Sequence, residues 1–212
     1  TDFAAASFST TGVLVRVDVL LEGAFNSTTN LMNTHLRTNN LLPLSQPYVV
    51  FPWSYNGTES FANANDMPIN AVDWVLLEVY ESNTNNLLQR KAGILLDNGR
   101  IVEADNNGLN GIIIDGIQIE TNYIFVIRHI NHIDVVSSRT RSIPFLPYSF
   151  VNNETQAKGN QQLKAVENGY FAMIAGDIDA NQTLSTSDLN VILNSASNSV
   201  YSNADCNFDG NI

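Results

Sequence analysis

Cys206 is the only cysteine in the chain. A single thiol excludes an internal disulfide and any thiolate metal cluster, so the fold must be stiffened by other means. Basic residues are scarce too: 10 Lys and Arg stand against 21 Asp and Glu, for a formal net charge of −11 and a pI near 4.4. That balance makes nucleic acid and anionic membrane surfaces poor partners. No apolar run approaches the roughly 18 to 20 residues of a membrane span, so membrane insertion is not expected. A Gly-x-Ser-x-Gly elbow, a phosphate loop and a dinucleotide fingerprint are all missing, which removes several motif-borne enzyme classes. Thr1 occupies the first position with no basic-then-apolar leader after it, which predicts a processed mature chain or an excised fragment.

What is present describes a folded, soluble chain. At 212 residues with 44% hydrophobic content, it can bury a core as one substantial domain with an appendage, or as two small domains. Asn pairs such as Asn39-Asn40, Asn85-Asn86 and Asn152-Asn153 suit exposed turns, because Asn tolerates left-handed backbone and bonds locally to it.

Residues 12–22 alternate, with Val13, Val15, Val17, Val19 and Leu21 on one parity, as a half-buried strand does. Further strands are expected at 73–80, 87–96, 100–104, 112–119, 123–129, 133–137 and 147–151, each bounded by turn residues. Asn98-Gly99 between two apolar runs predicts a hairpin. Many short strands and almost no helical period before residue 160 predict an antiparallel β-sandwich over 1–168, with a barrel as the alternative. Residues 25–66 interrupt the pattern, and a stretch of that length is usually functional or packed down by its own apolar side chains. Residues 161–166 suit a strand or one helical turn, and a helix is expected over 186–196 from the spacing of Leu189, Ile192 and Leu193.

The most specific pattern lies in residues 169–212. Asp177, Asp179, Asn181, Ser185 and Asp188 fall at positions 1, 3, 5, 9 and 12 of a loop, with the Thr183 carbonyl at position 7. Oxygens at that spacing can wrap a hard cation such as Ca2+, which wants six to eight of them. Leu184 at position 8 is apolar and is expected to anchor the loop on a core. The opening repeats 28 residues later as Asp205, Asn207, Asp209 and Asn211, again with an aliphatic residue at position 8. A repeat that keeps ligand phase is hard to explain by turn chemistry alone. Gln182 replaces the Gly expected at position 6, where positive φ is favoured, which predicts a strained or weak first site. The second loop lacks positions 9 and 12, so it is expected to be a truncated repeat that a neighbouring chain or further residues would complete.

These two loops, with a helix after the first, resemble the dockerin type I repeats of secreted bacterial proteins, whose loops close on Asp as this one does at Asp188. Upstream, LVRVDVLLEGAF, LLPLSQPY, PWSYNGTES, VDWVLLEVY, LLDNGRIV and RHINH resemble a β-domain of secreted proteins in the Bacteroidetes group. The resemblance covers residues 13–212 and implies export and a place at the cell surface rather than a reaction. The resulting expectation is a non-catalytic extracellular structural or adhesive protein, such as an adhesin or filament subunit, with self-association or another extracellular protein as partner. The alternative is a carbohydrate-binding or cohesin-type docking module of a secreted enzyme, with polysaccharide as a possible ligand.

Other chemistry-bearing residues have plainer expectations. His129 and His132 stand three apart at a strand end, unlike a zinc-binding helix pair, and are expected to make structural hydrogen bonds. Trp74 should be core; Trp53 and Tyr55 sit in a loop better placed to meet a sugar, but packing is the expectation for them too. Asp73, Glu78, Glu81 and Glu103 are expected to be exposed strand charges rather than a glycosidase pair.

Overall fold

A computed structural model describes residues 12–105, 108, 110–118, 121–138, 147–195 and 200–212. Residue 119 of the expected 112–119 strand and residue 196 of the expected helix lie outside them. The chain is mainly β, with a curled antiparallel sheet. Among the described residues, no helix is long and apolar enough to cross a membrane.

The first expected strand divides in two, β1 (Val13–Val15) and β2 (Val17–Asp18). Two short pairing segments follow, β3 (Phe25–Asn26) and β4 (Leu31–Met32), then a single helical turn, α1 (His35–Thr38). The centre is built from β5 (Ala71–Glu81), β6 (Leu87–Leu96), β7 (Ile101–Val102), β8 (Ile112–Ile114), β9 (Tyr123–Arg128) and β10 (Val135–Val136). Beyond them lie β11 (Tyr148–Ser149), β12 (Lys164–Ala165), β13 (Phe171–Ala172) and a longer helix, α2 (Thr186–Asn194).

Five strands form the main sheet, in the order β10-β9-β5-β6-β7, all pairs antiparallel. The β6–β7 hairpin closes at Asn98-Gly99 as the turn chemistry requires: Gly99 has φ +87°, and its N–H donates to Leu96 O at 2.9 Å. β5 is buried along nine consecutive residues, so both its faces are covered and no polar alternation survives in its middle. One covering element is the β1–β8 pair, whose Ile112 approaches β6 at Gly93. A Cβ there would lie 2.7 Å from both Ile112 Cδ1 and Val102 O, so a larger residue would force the layers apart.

The other cover is the 25–66 segment, which packs through its own apolar side chains. Met32, Leu36, Leu42, Tyr48, Tyr55 and Phe61 are all buried. Two bonds pin it to β5: Trp74 Nε1 donates to Pro43 O at 2.8 Å, and Tyr48 Oη donates to Trp74 O at 2.8 Å.

One expectation about pairing needs correction. The 12–22 stretch is not one strand, because β1 pairs antiparallel with β8 while β2 pairs parallel with β11. The topology is therefore not purely antiparallel. Residues on both sides of position 168 contribute to one apolar cluster. Met173 exchanges bonds with Leu20 and Glu22, Ile133 N–H donates to Ile174 O, and Ala172, Met173 and Phe208 belong to the same apolar cluster as β5. The C-terminal segment threads between residues 20–22 and 131–133 and closes the core from that side.

Candidate metal loops and the polar network beneath them

α2 begins with Ser185 as N-cap, and its reciprocal partner is Asp188, whose carboxylate accepts from Ser185 N–H at 2.9 Å. The helix start therefore carries Asp188 back toward the loop that precedes it. Asp188 Oδ1 also accepts the N–H groups of Ile178, at 2.9 Å, and Asp179, at 3.3 Å. Burial works to raise the Asp188 pKa, but these backbone donors and the Ser185 hydroxyl outweigh it and hold the carboxyl below its usual range. Asp177 goes the other way. It is pushed up by burial, with the N–H groups of Gln182 and Asn181 pulling against that and the charges of Asp188 and Asp179 adding to it.

The structure brings Asp177, Asp179 and Asp188 together, with one carboxylate oxygen from each lying within 4.8 Å of the others. Carboxylates grouped this closely could hold a cation, although exposed acidic groups are also common without one. Asn181, Thr183 and Ser185 follow on the same loop, all largely open to solvent. Asn181 N–H donates to Asp177 Oδ1 at 3.0 Å.

Gln182 adopts the left-handed backbone that position 6 demands, at φ +67°, and its N–H donates to Asp177 Oδ2 at 3.0 Å. Ala180 at position 4 is left-handed as well, at φ +54°. Neither residue is glycine, so this loop carries backbone strain that a Gly would relieve. The second loop has the same signature. Phe208 at position 4 and Gly210 at position 6 have φ +61° and +83°, and Gly210 N–H donates to Asp205 Oδ2 at 2.8 Å. Position 5 donates to position 3 in both loops, Asn181 to Asp179 and Asp209 to Asn207, each at 3.2 Å.

The loops differ in what remains open. Asn207 Nδ2 donates to Asp209 Oδ2 at 3.0 Å and Asn211 N–H to Asp209 Oδ1 at 2.7 Å, so these side chains are occupied with one another. Asp205 Oδ1, by contrast, is buried with no hydrogen-bond partner among the described residues. Leu184 also departs from expectation. It is 51% exposed and does not anchor the loop on a core. The first loop is held instead through its backbone, by Asp177 N–H on Asn131 O at 3.2 Å.

No protein-family model, curated protein or solved structure matches this chain. The chemistry of its sites therefore rests on their geometry.

Asn131 joins both loops to a buried network. Its backbone carbonyl takes Gly176 and Asp177, and its Nδ2 donates to Asp205 O at 3.0 Å. Its Oδ1 lies 2.7 Å from His132 Nδ1, and its N–H points to His129 Nδ1 at 3.4 Å. Both of those positions are acceptors. His132 Nδ1 must therefore carry the proton, and His129 carries its own on Nε2, 3.2 Å from Asp73 Oδ2. Asp73 Oδ1 accepts from Trp74 N–H at 2.7 Å and Tyr201 Oη at 2.8 Å. The two imidazoles pack against Phe208. Burial, and then the neighbouring His129, hold the His132 pKa well below the ordinary value.

The acidic strand residues are a further correction, because Asp73, Glu78 and Glu103 are buried and partnered rather than exposed. Glu103 pairs with Lys91. Glu78 sits directly across from Arg90 in the β5–β6 register, with Arg90 Nε at 2.8 Å and Arg128 Nε from β9 at 2.9 Å. Arg128 also meets Asp134. Burial pushes the Asp134 carboxyl up to about 6, with Arg128 pulling it down and Glu78 adding to the rise. The Glu78–Arg90 pairing could have been found by folding the 73–80 and 87–96 strands into a hairpin. The contribution of Arg128 and Asp134 could not, because nothing local connects them to Glu78.

Proposed function

We propose that this chain is a calcium-stabilised, non-catalytic extracellular module of structural or adhesive type, a β-sandwich-like body closed by dockerin-like loops. The observation that carries this is the repeated loop signature: two segments 28 residues apart share acidic phase, left-handed backbone at positions 4 and 6, and a position-1 carboxylate that accepts the position-6 N–H. Convergence of Asp177, Asp179 and Asp188 supports a resident cation in the first loop. The unpartnered Asp205 Oδ1 supports one in the second, since a buried carboxylate oxygen without a donor is costly. Calcium here would be structural: it neutralises grouped carboxylates and orders the loop, and no reaction step is assigned to it. The commitment of Asp73, Glu78 and Glu103 to structural partners supports the non-catalytic reading.

Calorimetric titration of chelator-treated protein tests this. Saturable Ca2+ binding is expected, lost in Asp177→Ala. At a hundredfold excess over Kd, the linked stabilisation is about 2.7 kcal/mol. For a chain of this size that raises Tm by about 5 to 10 °C. Unchanged melting in millimolar calcium would remove the metal from the proposal.

Self-association is the partner we favour. Leu193 of α2 is 68% exposed, with Leu184 and Leu189 also open to solvent, an apolar face that water disfavours and a second copy would cover. Sedimentation velocity in calcium should show concentration-dependent association that Leu193→Glu abolishes. A monomer at every concentration would exclude it.

A further inference from the structure

A cleft of about 340 Å³ opens over the interior strands β9, β5 and β6 of the main sheet, beside the first acidic loop. Its floor is the Glu78, Arg90, Arg128 and Asp134 cluster, with Tyr80 Oη donating to Glu78 Oε2 at 2.8 Å. Trp53, partly exposed, forms one wall; its carbonyl accepts from Arg90 Nη1 at 2.8 Å, so wall and floor are tied together. Leu87 stands exposed at the lip. Gln182 of the acidic loop forms another wall, and its Oε1 accepts from Asp134 N–H at 2.8 Å.

The ligand class follows from this lining. Two guanidinium groups face two carboxylates, so the floor carries little net charge with which to draw a free anion or cation. It offers fixed donors and acceptors instead. The arginine side chains keep 21% and 30% of their surface open, while salt bridges hold their planes in place. Beside them stand an indole and an aliphatic lip. A neutral molecule with a hydroxyl-rich edge and an apolar C–H face matches that lining, and a pyranose ring has both.

We infer that this cleft binds a neutral pyranose unit of a polysaccharide, with Trp53 against its C–H face and Arg90, Arg128 and Tyr80 at its hydroxyls. Ordering of the acidic loop by a cation sets the position of the Gln182 wall, so affinity rises when the loop is loaded. The floor and the Trp53 wall do not depend on the calcium proposal; only this last coupling rests on it.

Tryptophan fluorescence reads the test directly, because Trp74 is fully buried and Trp53 alone can report a ligand. Cellotetraose, xylotetraose, mannotetraose and maltotetraose are titrated at millimolar concentrations, with and without calcium. At least one should give a saturable shift. Calorimetry with the same sugar should show binding weakened about tenfold or more in Trp53→Ala. Leu87→Arg should block the lip, and its exposed position keeps the fold intact if Trp53→Ala destabilises the loop. No saturation with any of the four, or binding unchanged in both variants, overturns the site. Equal sugar affinity in chelator, in protein that binds calcium by calorimetry, overturns the coupling alone. Sugar binding in protein that takes up no calcium sustains the site and refutes the metal proposal.

Discussion

Phe208→Ala is expected to cost about 3 to 5 kcal/mol, the range for deleting a fully buried phenyl ring. Phe208 is essentially inaccessible and fills the space against His129 and His132, with ring centroids 5.6 and 5.8 Å away. Its left-handed backbone is no easier for alanine, so no strain is relieved in compensation. Because residues 169–212 share the apolar cluster of β5, urea unfolding should remain one transition with its midpoint moved to lower denaturant. Two transitions, with the larger one unmoved, would show instead that the C-terminal segment unfolds as an independent unit. The close approach at Gly23 points the same way. A Cβ there would lie 1.6 Å from Cys206 O, so the second loop is seated on the 22–24 turn at backbone contact.

Asp73→Ala should also be costly, about 1 to 3 kcal/mol for each buried donor it leaves unpaired. The substitution leaves His129 Nε2 and Tyr201 Oη without their acceptor in a site where water does not reach the imidazole. Asp73→Asn keeps one carbonyl acceptor and should cost less, and chemical denaturation of both variants measures the difference. The same network gives a pH signature. The folded pKa of His132 lies below the unfolded value near 6.5. Its contribution is thus complete above about pH 6.5 and declines as pH falls, because the unfolded chain takes up a proton that the fold refuses. Asp134 acts with the opposite sign: its folded form binds a proton first as pH falls through about 6, which adds stability there. The net curve mixes the two, so the ring resonances of His132 in NMR are the measurement that separates them. They should stay at their neutral positions as pH falls through the ordinary histidine range near 6.5; protonation within that range would contradict the burial of the ring.

Some features were readable residue by residue. The 73–80 and 87–96 strands, the Asn98-Gly99 hairpin and the capped start of α2 each depend on neighbours a few residues away. So does the turn conformation of the two acidic loops, since each left-handed residue and the carboxylate its loop closes on lie within a few residues of one another. Apolar spacing in α2 was equally visible, yet it did not reveal that Leu189 and Leu193 face outward, because periodicity gives the side of a helix and not what covers it.

By itself, then, the sequence determined the mainly β character, the turn between β6 and β7, and the geometry of each acidic loop, because their energetics are local. Tertiary structure alone decided the parallel β2–β11 pair, the threading of residues 171–177 through the core, and the burial of Asp73, Glu78 and Glu103. A carboxylate can be buried only where partners from distant strands converge on it. For Glu78, those partners stand 12 and 50 residues away, at Arg90 and Arg128, and only the packed sheet brings them within 3 Å.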